Sequence, residues 1–122
     1  MTYKLLIVDD SNVIRNRIGR HSSLMNFEVV ATAINGLDAV EQYRKFKPDL
    51  VTMDLTMPHM DGLESIQAIM DIDPDANILV VSALSDKATG IRALKYGARG
   101  FICKPFTDTQ LSKALEEMMS GE

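Results

Sequence analysis

Apolar, β-branched-rich runs begin near Lys4, Phe27, Leu50, Asn77 and Gly100, about 22–28 residues apart. Asp, Asn, Gly, Pro or Ser bounds each run, as at the ends of strands. Between the runs the apolar spacing turns helical. Val13, Ile14 and Ile18 share one face of the first interval; Leu37 and Val40, with Glu41, Tyr43 and Arg44, make the second interval amphipathic. Leu63, Ile66 and Met70 mark a third helix, Ile91 and Leu94 a fourth, and Leu111, Leu115 and Met118 a fifth. Strict alternation of strand and helix predicts a parallel sheet with helices on both faces, because parallel neighbours need crossovers and crossovers are right-handed. Five such units suit an α/β, doubly wound (βα)5 fold of the flavodoxin-like kind, a five-stranded parallel sheet in the order 2-1-3-4-5.

Stop and start signals agree with that division. Asp61 to Glu64 and Thr107 to Gln110 are capping-box patterns. Asn35 and Ser85 suit the N-caps of the second and fourth helices, and Gly97 stands where the fourth should end. Pro48 and Pro74 fall in connections, where a missing N–H does least harm. Gly90 falls inside the fourth helix, and two readings stand side by side: a tolerated surface glycine, or a loosened helix that has to move.

At 122 residues the chain reads as one domain, residues 1–122, long enough to bury a core. A net charge of −4 and the lack of a Lys/Arg run argue against nucleic-acid binding. No apolar stretch approaches the roughly 20 residues of a membrane helix, and Leu5–Val8 is too short for a secretory signal. Cys103 is the single cysteine, so no internal disulfide can form; neighbours on a strand face opposite ways, and a buried, inert thiol is expected. A cytoplasmic location fits all of this.

Asp9 and Asp10 end the first run, Asp54 the third, and Lys104, followed by Pro105, the fifth. In a 2-1-3-4-5 sheet ligands bind beyond the carboxyl ends of the strands at the switch point between strands 1 and 3. Three carboxylates gathered there repel one another and raise a pKa unless a cation joins them. Oxygen donors without thiol or imidazole favour Mg²⁺ over zinc. A lysine adds a second positive charge, and a carboxylate can serve as a nucleophile toward phosphorus. Other polar residues have plainer readings. Asp61 is a helix cap; Asp71, Asp73 and Asp75 form a solvated acidic loop; His59 is an exposed loop histidine; His21 has no partner motif; the eight methionines fill gaps, with Met118 and Met119 placed where a partner could meet them.

Val8-Asp9-Asp10-Ser11, then Met53-Asp54-Leu55-Thr56-Met57-Pro58-His59-Met60-Asp61-Gly62, then Val81-Ser82-Ala83, then Lys104-Pro105-Phe106 occur in that order. With these four motifs in register over essentially its whole length, the chain resembles the receiver domain of response regulators, of the single-domain, CheY-like type. The resemblance implies that Asp54 accepts a phosphoryl group from a histidine kinase or a histidine phosphotransfer protein. Asp10 and Asp54 would bind Mg²⁺ directly (with Mn²⁺ as a substitute), Asp9 largely through water, and the backbone carbonyl of Thr56 as a further ligand. Lys104 would contact the acyl phosphate, placed by a cis Lys104-Pro105 bond. Ser82 would offer its hydroxyl, and Phe101 would be the switch aromatic. The surface of helix 4, strand 5 and helix 5 would then change for an output protein, with the receiver a monomer or a weak phosphorylation-dependent dimer. Thr56 and Leu84 hold the positions that tune loss of the phosphoryl group; leucine cannot orient a water, so slow self-dephosphorylation is expected.

Three rivals differ in what they need. A phosphatase of the haloacid-dehalogenase type needs a second acid two residues after its nucleophile, where Thr56 stands. A flavin-binding module needs a phosphate-cradling loop after strand 1, where Asp9 and Asp10 would repel the phosphate. A receiver cut from a longer regulator would share every motif, although no output domain follows Thr107.

Overall fold

Each apolar run becomes a strand and each interval a helix in the computed structural model, which describes residues 2–57, 59–83 and 87–120. The order is β1 (Tyr3–Val8), α1 (Asn12–Ser23), β2 (Phe27–Ala33), α2 (Gly36–Phe46), β3 (Leu50–Met53), α3 (Gly62–Ile72), β4 (Ile78–Ala83), α4 (Lys87–Lys95), β5 (Gly100–Lys104) and α5 (Asp108–Met119). All strand pairs are parallel and the sheet runs β2-β1-β3-β4-β5, as the alternation predicts. β1 and β3 pair from Leu5 with Leu50 to Val8 with Met53, so their carboxyl ends lie level.

Pleating sends alternate residues to opposite faces, and both faces are covered. Leu6, Val8, Val51, Met53, Ile78 and Val80 pack with Tyr43 of α2, Ile66 and Ile69 of α3 and Ala93 of α4. Leu5, Ile7, Leu50, Leu79 and Val81 pack with Ile18 of α1 and Leu111 and Leu115 of α5. Continuous apolar runs are therefore required in the central strands, since neither side meets water. No helix among the described residues is long and apolar enough to cross a membrane.

The helix starts follow the side chains. Ser11, Asn35, Asp61 and Thr107 cap α1, α2, α3 and α5, each accepting a hydrogen bond from the backbone N–H three residues on. Only Thr107 and Gln110 complete the reciprocal capping box among the described residues; Asp61 makes one half of the pattern, its Oδ1 accepting from Glu64 N at 3.0 Å. Gly97, at φ +123°, follows α4 as expected. Ser85 lies outside the described residues.

Several expected faces are corrected. Val13 is 74% exposed, while Ile18 carries the buried contact of α1. Leu37 is exposed on α2. On α4 the buried residues are Gly90 and Ala93, with Ile91 and Leu94 turned outward. Cys103 is half-buried, because β5 is an edge strand. Met118 is buried and Met119 half-buried against the α1/α5 core, so the pair serves mainly as core packing. Asp73 is not simply solvated: its Oδ2 accepts from the Tyr43 hydroxyl at 2.9 Å and its Oδ1 from Asp75 N at 2.9 Å. Burial and that carboxylate push the Tyr43 phenol pKa well up. His21 finds a partner in Ser112, its Nε2 lying 2.5 Å from the Oγ across α1 and α5.

Candidate functional site

The backbone ladder continues one residue past the strands. Asp9 N donates to Ala33 O at 3.1 Å and Asp54 N donates to Val8 O at 2.9 Å. These two bonds set Asp9 and Asp54 side by side on neighbouring strand ends. Asp10, the next residue along, reaches out to solvent. Ligating oxygens of Asp9, Asp10 and Asp54 all lie within 4.8 Å of one another. The three acids and the lysine expected from sequence are thus brought together.

Lys104 enters from β5, across β4. Its Nζ donates to Asp9 Oδ2 at 2.8 Å and lies 3.6 Å from Asp54 Oδ1. The Lys104-Pro105 peptide is cis, as the resemblance implies. Asp9 Oδ1 accepts from Ser11 N at 2.9 Å, so its carboxylate is engaged at both oxygens. Asp54 is held more loosely, its Oδ1 accepting from Thr56 N at 3.4 Å.

The electrostatics follow from this asymmetry. Burial raises the Asp54 pKa first, and the Asp9 carboxylate and, less strongly, that of Asp10 raise it further. Lys104 and the Thr56 N–H pull it down without cancelling the rise, and Asp54 ends near 6 instead of 3.8. A buried carboxyl beside two more acids is thus under-neutralised by one lysine. A small dication with oxygen preference would relieve this, and the donor set fits one.

Ser82 is fully buried at the end of β4, paired in register with Cys103. Phe101 is half-buried, pairs with Val80 and packs into the core under α2, α3 and α4. By the pleat, Ser82 faces the same side. Thr56 is exposed next to the acids, and His59 is exposed at φ 67°. Leu84 lies outside the described residues.

Two supports of the site were not legible. Arg15 donates from Nη1 to Asp9 O at 2.8 Å and from Nη2 to Asn12 Oδ1 at 3.2 Å, clamping the β1–α1 turn. An arginine one turn into the helix after an acidic strand end is the available signal. Gly62 is the second. A Cβ there would lie 2.5 Å from Asp54 O and 2.6 Å from Leu55 Cα. Only a glycine lets α3 press on the backbone that presents Asp54.

The family model described as the response regulator receiver domain matches residues 5–116. Chemotaxis protein CheY of Thermotoga maritima is 44% identical, with 97% of this chain and 98% of that protein covered. The same-named protein of Listeria monocytogenes is 47% identical over 93% of this chain and 96% of its own length. Among solved structures, the response regulator domain of Thermotoga maritima CheB superposes with a TM-score of 0.87 at 35% identity, covering 98% of this chain and 96% of that one. A CheX-CheY-BeF3-Mg complex from Borrelia burgdorferi contains a chain with a TM-score of 0.90 at 32% identity, covering 94% and 87%. These likenesses do not favour a phosphatase of the haloacid-dehalogenase type. The chain belongs to the response regulator receiver domain family, the phospho-accepting regulators of two-component signalling.

Proposed function

We propose that Asp54 is the phospho-acceptor of a magnesium-dependent, CheY-like receiver spanning residues 1–122. The observation that carries this reading is the convergence of Asp9, Asp10 and Asp54 within 4.8 Å, with the Lys104 amine 3.6 Å from Asp54.

The transfer follows from these residues. An ionised Asp54 oxygen attacks the phosphorus of a phosphohistidine on a kinase or phosphotransfer protein. A P–O bond forms as the P–N bond breaks, and the electron pair stays on the imidazole nitrogen, which takes up a proton. Asp10 and Asp54 would hold Mg²⁺ directly, with Asp9 acting through water and the Thr56 carbonyl as a further donor; Mn²⁺ would serve as a substitute. Bound there, the metal supplies positive charge to the transferring phosphoryl oxygens. Lys104 shifts from the carboxylates toward one of those oxygens, and its ammonium offsets the charge gained. The Ser82 hydroxyl donates to another.

Phosphorylation adds negative charge and acceptor oxygens at one strand end. Ser82 and Phe101 carry the change to the surface made by α4, β5 and α5, where an output protein reads it. Relatives named chemotaxis protein CheY support an output in chemotaxis, and a cytoplasmic receiver that is monomeric or weakly dimerising on phosphorylation suits that role. The acyl phosphate is lost by self-catalysed hydrolysis, slowed by leucine at position 84; Leu84→Glu and Leu84→Asn shorten its half-life.

Incubation with acetyl phosphate and Mg²⁺, read by intact mass, tests the proposal. One added phosphoryl group is expected, absent in Asp54→Ala and in EDTA. No gain under conditions that modify a control receiver overturns it.

A further inference from the structure

Helix α4 has almost nothing of its own with which to hold the sheet. Its buried residues are Gly90 and Ala93, whereas α5 buries Leu111, Leu115 and Met118, and α3 buries Ile66 and Ile69. The larger apolar residues of α4, Ile91 and Leu94, are 54% and 45% exposed. A nine-residue helix is not stable by local propensity alone, and packing has to hold it. Glycine in its middle makes this worse, being the poorest helix former after proline.

The missing bulk comes from the strand. A Cβ built on Gly90 would fall 2.0 Å from Phe101 Cε2, 2.6 Å from Cδ2 and 2.8 Å from Cζ. The ring edge therefore occupies the volume that any other residue at position 90 would fill. Phe101 also borders an open groove along β5 and α5, lined by Cys103, Lys113 and Glu117.

We propose that Gly90 is a positioning residue for Phe101: it forms a socket in α4 into which β5 plugs its aromatic ring, and this plug is what fixes α4 on the sheet. The ring and the outward pair Ile91 and Leu94 then move as one unit, so the side chain at position 90 sets how the α4 face is presented. The significance for signalling rests on the receiver reading; the socket is tested without any phosphoryl group, so the two can fail separately.

The wild-type chain is expected to show NOEs between the Phe101 ring protons and the Gly90 α-protons. Their absence overturns the socket with no variant needed. A thermal double-mutant cycle supplies the second test. Gly90→Ala should lower the melting midpoint when Phe101 is present and raise it in a Phe101→Ala background, where helix propensity alone acts. An equal rise in both backgrounds makes Gly90 an ordinary helix glycine and overturns the proposal. Amide exchange supplies the third. Phe101→Ala should speed α4 exchange by about tenfold relative to α5; equal acceleration of both helices means the ring is general core filling, and the plug is rejected.

Discussion

One residue separates two opposite environments along β1 and β3. From Leu5 to Val8 and from Leu50 to Met53 the strands are fully buried between the two helical layers, and every side chain there but Thr52 is apolar. At Asp9 and Asp54 the same strands present buried carboxylates to each other, with Asp10 beside them. The body of the sheet stabilises the fold through burial. The rim opposes it, because charges of one sign are desolvated together. The rim can hold that arrangement only because the body positions it, so a receptive site and a stable fold come from adjacent links of one chain.

The largest expected effect lies in the body. Leu6→Ala removes a fully buried side chain from the core under α2 and α3. It should cost about 3 kcal/mol in denaturant unfolding, from lost transfer energy and the cavity left behind. A loss below about 1 kcal/mol would mean that the body is not where the stability resides.

The rim should answer with the opposite sign and a pH dependence. Asp54 has a native pKa near 6 against an ordinary value of 3.8, so the native chain binds its proton more tightly than the unfolded chain. Stability should therefore fall as pH rises between those values, and the full cost should stand above pH 6. Asp54→Asn removes the charge, leaving Lys104 paired with Asp9. In EDTA it should add about 2 kcal/mol at pH 8 and nearly nothing below pH 4. An equal effect at both pH values would show that the charge is not the cause. Metal affinity should weaken over the same window as pH falls, since proton and cation compete for Asp54; calorimetric Mg²⁺ titration at pH 5 and pH 8 checks this.

A smaller test sits inside the body. Thr52, in the middle of β3, has a buried Oγ1 with no hydrogen-bond partner among the described residues. By the pleat it lies among Leu50, Ile7 and Leu79 on the α1/α5 side. Thr52→Val keeps the shape and should gain about 1 kcal/mol. A loss would reveal a role for the hydroxyl and blur the line between body and rim. The smallest effect is expected at His59, exposed at φ 67° in the loop after Asp54. His59→Gly should gain about 0.5 kcal/mol by relieving left-handed backbone, less the entropy glycine adds to the unfolded chain. Thermal melts resolve that difference.

Much of this was legible in the residues. Alternating periods defined the five units and the strand order, and Asp9, Asp10, Asp54 and Lys104 stood where strand ends had to meet. The helix faces were less legible. Periodicity says which residues share a side, but it does not say which side the sheet will cover. On α4 the apolar spacing pointed to Ile91 and Leu94, yet the helix buries Gly90 and Ala93, because the aromatic ring that fills the interface is supplied by β5. Asp73 shows the same limit: nothing local marks its partner Tyr43, which lies 30 residues away.

Composition and order along the chain determined what is local: where strands and helices begin, which end of each strand is acidic, and which side chains cap. Tertiary structure alone decided the approaches between distant segments. The Arg15 clamp on Asp9, the pressure of Gly62 on the Asp54 backbone and the seating of Phe101 against Gly90 all depend on distances of a few ångströms between elements. Local pattern is encoded in spacing and propensity; close approach is a property of the packed whole, where each side chain's room is whatever its neighbours leave.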